Sequence, residues 1–98
     1  KDYLNFLLDQ LSSLEGITYR MMMGEYVIYF RGKVAAYVCD NRLLIKPVPA
    51  AINMLPHAEY DSISQGGRKK LLRIDNVDDR DFLTDLFNAI YDALPFSK

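Results

Sequence analysis

His57, Glu59 and Asp61 alternate as His-x-Glu-x-Asp. In an extended segment they share one face and offer a nitrogen and two carboxylates to a metal ion. No second cluster completes a coordination shell, and residues 57–67 read as a loop, so no metal is expected there. Cys39 is the one cysteine of the chain. It attacks as a thiolate or not at all, yet Asp40 beside it raises the cost of that charge. The single histidine has no matching place, so Cys39 reads as a structural strand residue. Asp78, Asp79 and Asp81 could gather magnesium, but acids opening a helix read more simply as cap and dipole partners. No catalytic residue and no cofactor is expected.

Other groups point to surfaces. Arg31, Lys33, Arg42 and Lys46 cluster around strand ends near Tyr29 and Tyr37. Bases stack on aromatic rings and phosphates pair with cations, so these residues could meet single-stranded nucleic acid. The aromatic-rich strand motif of RNA-recognition sheets is missing, and charges that keep sheet edges from pairing are the plainer reading. Arg68, Lys69 and Lys70 follow Gly66-Gly67 like an anion-binding elbow, or else guard an edge strand. Arg20-Met21-Met22-Met23-Gly24 offers methionines that adapt to a protein partner. The plainer alternative puts Met21 and Met23 in the core and Met22 outside. Gly24 and Gly32 answer backbone geometry, since neither lies in a phosphate-cradling motif. Tyr60 is expected to anchor its loop on the core.

The elements that must carry these residues are legible in the spacing. Tyr3, Leu4, Leu7, Leu8, Leu11 and Leu14 make one helical stripe, with Asp2 placed to cap it and Gly16 to end it. Four strands follow at 17–23, 26–30, 33–39 and 42–46. They are divided at Gly24-Glu25, Arg31-Gly32 and Asp40-Asn41, residues suited to two-residue hairpin loops. Alternation puts Tyr26, Ile28 and Phe30 on one face and Val27, Tyr29 and Arg31 on the other. In the next strand Val34, Ala36 and Val38 oppose Ala35, Tyr37 and Cys39. Pro49 opens a short helix that Pro56 stops. Residues 68–75 form a fifth strand, and a last helix runs from about 78 to 94. Its buried stripe is Phe82, Leu83, Leu86, Phe87, Ile90 and Leu94. The expected fold is two-layer α+β, a five-stranded, mostly antiparallel sheet packed with helices in the order α-β-β-β-β-α-β-α.

Size and charge narrow the classes. The 98 residues are half hydrophobic and carry a net charge of −1. That suits one domain over 1–98 with a core of its own, and argues against wholesale nucleic-acid binding. Residues 16–73 hold nine bases against four acids, whereas 74–98 hold six acids against two bases. A lone cysteine excludes a disulfide framework within the chain and fits a reducing, cytoplasmic setting. No apolar run approaches the ~20 residues of a membrane span, and no signal peptide is visible. The chain opens on Lys1, as expected of a piece of something longer.

An ordered set of residues then carries a resemblance. Arg20, Met21, Met22, Gly24, Glu25, Tyr29, Gly32 and Lys33 are followed by Leu43-Leu44-Ile45-Lys46 before Pro47-Val48. Phe82-Leu83-Thr84-Asp85-Leu86-Phe87 through Leu94-Pro95 follows near the end of the chain, and Leu11-Ser12-Ser13-Leu14 closes the leading helix. Over nearly its whole length this pattern resembles the N-terminal domain of the TfoX/Sxy family, bacterial regulators of natural competence. The resemblance implies a cytoplasmic, non-enzymatic protein of transcriptional control, working with a protein partner in the transcription machinery or alongside a cAMP-receptor-type activator. It supplies no catalytic residues. It does not extend to the second, helical domain of full-length regulators, so no role that lives there is expected of these residues. A homodimer through an unpaired sheet edge is expected to be open to such a chain. The residues expected to meet a partner are Met22, Tyr29, Arg31, Lys33, Tyr37, Arg42 and Lys46. Those expected to touch an anion or nucleic acid, if any do, are Arg68, Lys69 and Lys70.

Overall fold

The computed structural model of the protein describes residues 2–62 and 70–95. Helix α1, Asp2–Gln10, buries Leu4 and Leu7. Asp2 lies inside its first turn rather than capping it. The helix ends at Gln10 although the apolar stripe runs on, and Leu11 stays fully buried in the turn that follows. The chain reverses at Gly16, where φ is +82° and the carbonyl accepts the Arg31 N–H at 2.9 Å. A Cβ at that position would stand 2.9 Å from Arg31 Cγ, so both the dihedral and the close approach demand glycine.

Four strands form an antiparallel meander: β1 Ile17–Met22, β2 Glu25–Phe30, β3 Lys33–Cys39 and β4 Arg42–Ile45. The turns between them are Met23-Gly24, Arg31-Gly32 and Asp40-Asn41. All six central residues have positive φ, between 50° and 83°, which is the geometry of type I′ hairpins. Two of the three turns fall where the sequence places them. The first lies one residue earlier than Gly24-Glu25, because Glu25 opens β2 opposite Met22 and Met23 takes the left-handed position.

Helix α2, Pro49–Met54, starts on its proline. Two further strands follow, β5 Tyr60–Asp61 and β6 Leu71–Ile74. The sheet has six strands in the order β1-β2-β3-β4-β6-β5. The sixth is β5, which the sequence hides in its loop over 57–67, since two residues are too few for an alternation to show. Tyr60 accordingly lies exposed on an edge strand instead of anchoring a loop on the core. Helix α3, Arg80–Ile90, is capped by Asp79, whose carboxylate accepts the Phe82 N–H at 3.0 Å, and runs into a 3-10 turn at Tyr91–Ala93. The α+β class stands.

The helices cover one face of the sheet. Ile28, Phe30, Ala36, Val38, Leu43, Ile45, Leu72 and Ile74 meet Leu4, Leu7, Leu11, Leu83, Leu86 and Phe87 there in one core. Polar bonds fix the helical layer: Arg80 reaches Ser12 at 2.9 Å and Asp9 at 3.2 Å, and Gln10 Nε2 donates to the Val77 carbonyl.

A bulge decides which residues face that core. The β2–β3 register pairs Ile28 with Ala36 but Tyr29 with Val34, leaving Ala35 as the extra residue on β3. Beyond it the alternation of β3 is inverted. Lys33 turns inward opposite Phe30, and Val34 joins Tyr29 on the opposite face. A strict period of two over Val34, Ala36 and Val38 therefore fails at its first member.

Candidate functional site

Two parts of the surface could do something: the sheet face away from the helices, and the free edge at β1. On the face, Val27, Tyr29, Cys39, Leu44 and Leu71 are buried yet stand apart from the core between sheet and helices. Tyr37 is half-buried beside them, and burial, with Tyr29 nearby, raises the pKa of its phenol above the ordinary value. The face presents little ring surface to a stacked base, and Tyr29 is only 8% exposed.

Arg42 is held at the rim of this face. Its Nη1 lies 2.7 Å from Asp61 Oδ2 and donates to the Ser62 carbonyl at 3.1 Å, and its Nε donates to the Cys39 carbonyl at 3.3 Å. The same carboxylate of Asp61 stands 3.7 Å from Arg73, which also pairs with Asp75 at 2.9 Å and Glu59 at 3.6 Å. The Arg42 hydrogen bond and the Ser62 N–H together hold the Asp61 carboxyl below the usual carboxylate range. Glu59 and Asp61, two members of the His-x-Glu-x-Asp pattern, are thus turned onto arginines. Among the described residues no three His, Cys, Asp or Glu side chains gather as a metal site would require.

Cys39 is 7% exposed, with Glu25 Oε2 at 3.5 Å, Asp40 Oδ2 at 3.7 Å and Arg42 Nη2 at 3.5 Å from its sulfur. Burial pushes its pKa up, and the carboxylate of Glu25 pushes the same way against the opposing hydrogen bond from Arg42. A thiol so placed stays protonated and is a poor nucleophile at neutral pH.

Lys33 and Arg31 are gathered at the far end of β3. Lys33 is buried, and its ammonium donates to the Tyr91 carbonyl at 3.1 Å and lies 4.2 Å from the centre of the Tyr91 ring. The Arg31 guanidinium lies 5.1 Å from the Phe30 ring centre and 5.7 Å from that of Tyr91. The bulge thus takes Lys33 off the surface to which the sequence assigns it. Lys46 is half-buried just after β4, and Lys70 is exposed before β6. Arg68 and Lys69 lie outside the described residues. The expected surface residues are accordingly split among a buried ammonium, two partnered arginines and scattered cations.

The edge at β1 is different. Tyr19, Met21, Met22 and Met23 are all exposed, Met21 at 64% and Met23 completely. Neither Met21 nor Met23 fills the core, because β1 is the outermost strand and its side chains beyond Ile17 are left exposed. Between α1 and β1 runs a groove of about 450 Å³ lined mainly by Leu8, Leu11, Leu14, Ile17 and Tyr19. Tyr19 packs edge-on against Tyr26 with ring centres 6.0 Å apart. The sequence offered Met21, Met22 and Met23 as a partner-binding run but kept only Met22 among the expected partner contacts, and it did not name Tyr19. Three consecutive methionines beside a tyrosine on the strand after the first helix were the available signal.

Comparison with known proteins adds two findings. The profile of the TfoX N-terminal domain matches residues 9–92. An uncharacterized 12.7 kDa protein in the trpE 5' region of Spirochaeta aurantia is 30% identical over 96 residues, covering 98% of this chain and 84% of that protein. No solved structure matches the chain. Among the described residues no helix is long and apolar enough to cross a membrane.

Proposed function

The chain belongs to the TfoX N-terminal domain family, and from that premise we propose that it is a non-enzymatic regulatory domain that acts in transcriptional control by holding a protein partner on the β1 edge. The observation that carries this reading is the exposure of Tyr19, Met21 and Met22 along one edge strand and of Met23 in the turn that ends it. Methionines adapt to a partner's shape, tyrosine anchors it, and the free main-chain groups of an edge strand supply directional bonds. The family is of regulatory type. The described thiol is unactivated, and no described carboxylate cluster suits a metal. In this reading the partner belongs to the transcription apparatus or is an activator bound to it. The setting is the cytoplasm, where a lone thiol such as Cys39 stays reduced. The nucleic-acid alternative is favoured by no described placement, since Lys33 points inward and Arg42 is held by Asp61.

The test joins two measurements on the host. Loss of the protein is expected to change transcript levels, and re-expression of a folded Met22→Lys variant is expected to restore neither those levels nor partner retention in a pull-down. Unchanged transcripts on loss of the protein, or full rescue by the variant, sink the reading.

A further inference from the structure

The two edges of the sheet are built differently. One is β5, two residues long, with Glu59 before it and Asp61 within it both paired to arginines, which is how proteins keep an edge from pairing. The other is β1, six residues long, with one charge and exposed apolar side chains. Its main chain is oriented by a single bond. The Arg31 N–H donates to the Gly16 carbonyl in the β1–β2 register, which makes 16 and 31 a hydrogen-bonded pair. Alternation then turns the main-chain groups of Thr18, Arg20 and Met22 toward β2, and those of Ile17, Tyr19 and Met21 away from the sheet.

We propose that β1 pairs antiparallel with β1 of a second copy of this chain, about a two-fold axis at Tyr19, joining two sheets into one. The proposal rests on the reading of β1 as the interaction edge and gives that edge a second copy of the chain as its occupant when no other partner holds it. The register follows from three observations. Centred on Tyr19, the pairing sets Tyr19 against Tyr19 and Ile17 against Met21 of the second copy. All three outward-facing residues of each strand are then in hydrogen-bonded pairs, giving six main-chain bonds. The same register sets Arg20 opposite Thr18. An axis at Arg20 would stack two like charges, which destabilises a pair. An axis at Met21 would need Met23 to pair opposite Tyr19, but Met23 sits in the hairpin turn at φ +50°. An axis at Thr18 leaves Met21 unpaired.

The side chains agree with the backbone. Ile17 lines the groove between α1 and β1, and the residue brought opposite it is Met21, the most exposed apolar side chain on that side of the strand. Each copy thus presents a methionine knob and an apolar groove, and the two-fold axis satisfies both at once, as an isologous interface requires.

Light scattering on the full chain, with cross-linking, tests this. The wild type is expected to run at twice the 11.3 kDa chain mass. A Met21→Lys variant, folded by circular dichroism, is expected to lose the dimer. A Tyr19→Cys variant is expected to oxidise to a cross-linked dimer, since the axis brings that position against itself, whereas Met21→Cys is not. Buried Cys39 does not compete. A wild type that stays monomeric at every concentration overturns the pairing. If Met21→Lys still abolishes partner capture in that case, the interaction-edge reading survives without it. A dimer that persists unchanged in Met21→Lys, or cross-links through Met21→Cys instead of Tyr19→Cys, overturns the edge or the register.

Discussion

Lys33 is tied to Tyr91 twice, by a 3.1 Å hydrogen bond from its ammonium to the Tyr91 carbonyl and by a 4.2 Å approach to the ring centre. The carbonyl sits in the turn that ends α3, where it also accepts the Leu94 N–H at 3.1 Å and the helix dipole favours a cation. The inverted alternation past the Ala35 bulge is what brings a β3 lysine to that place. Lys33 therefore pins the C-terminal end of α3 to the sheet. Lys33→Ala is expected to cost about 2–3 kcal/mol through lost alkyl burial and the lost charged bond. Lys33→Met keeps the alkyl packing and is expected to cost about 1 kcal/mol less than the alanine. Urea denaturation of the three proteins checks the order. Equal losses for Met and Ala would mean that the stem contributes nothing.

The first hairpin carries removable strain. Met23 holds φ +50° with a fully exposed side chain that stabilises nothing by burial. A left-handed position costs an ordinary L-residue about 1 kcal/mol, and Asn-Gly is the preferred pair for a type I′ turn. Met23→Asn is expected to stabilise the protein by about 0.5–1 kcal/mol. Gly16→Ala is expected to do the reverse, because φ +82° and the Arg31 side chain both oppose a Cβ. Thermal melts of the two variants should move in opposite directions from the wild type.

The meander and both flanking helices were legible because their signals are local. Asp40-Asn41 and Arg31-Gly32 announce left-handed turns, and the leucine stripe of residues 3–14 announces a covered helix. The bulge was not legible. Val34, Ala35 and Ala36 are all small and apolar, so nothing in their order says which is extra. One unseen residue moved Lys33 inside. The edge position of β1 was equally hidden, since strand order belongs to the whole sheet, and on that order depends whether Met21 and Met23 are core or surface. Arg42 looked like a free cation because its partner, Asp61, arrives from a strand of two residues.

Asp61 gives the fold an acid-side dependence whose sign is fixed. Its carboxyl is held below the ordinary value by Arg42 and the Ser62 N–H, so the folded state favours the ionised form. The contribution is full above the unfolded-state value of about 3.9 and is lost as pH falls through the lower folded value. Urea midpoints of the wild type and Asp61→Asn are expected to differ by a constant amount from neutral pH down to about pH 5 and to converge below about pH 4. A gap that stays constant to the lowest pH would show that the charge is not what holds Arg42.

Cys39 offers a chemical readout of the same rim. Its sulfur is buried and faces Glu25, both of which disfavour the thiolate. The midpoint of its alkylation rate against pH is expected above the ordinary thiol value of about 8.5. Glu25→Gln removes the carboxylate and is expected to shift that midpoint down while leaving the fold intact. A midpoint at or below the ordinary value would contradict the described surroundings.

The salt dependence of nucleic-acid binding separates the two functional readings. Each phosphate contact adds about −0.9 to the slope of log affinity against log salt on duplex DNA and about −0.7 on single strands. A working basic face would need Lys33 and Arg42 beside Arg31 and Lys46. Lys33 instead donates to the Tyr91 carbonyl, Arg42 is paired with Asp61 at 2.7 Å, and the Arg31 guanidinium lies over Phe30 and Tyr91. Tyr29 is buried and Tyr37 half-buried, which withholds the rings that would stack on bases. Any binding of single-stranded DNA at low salt is therefore expected to be weak, with a slope shallower than about −2. Fluorescence anisotropy across a salt series measures it. A slope near −4 would mean about six phosphate contacts on one strand and would contradict this expectation.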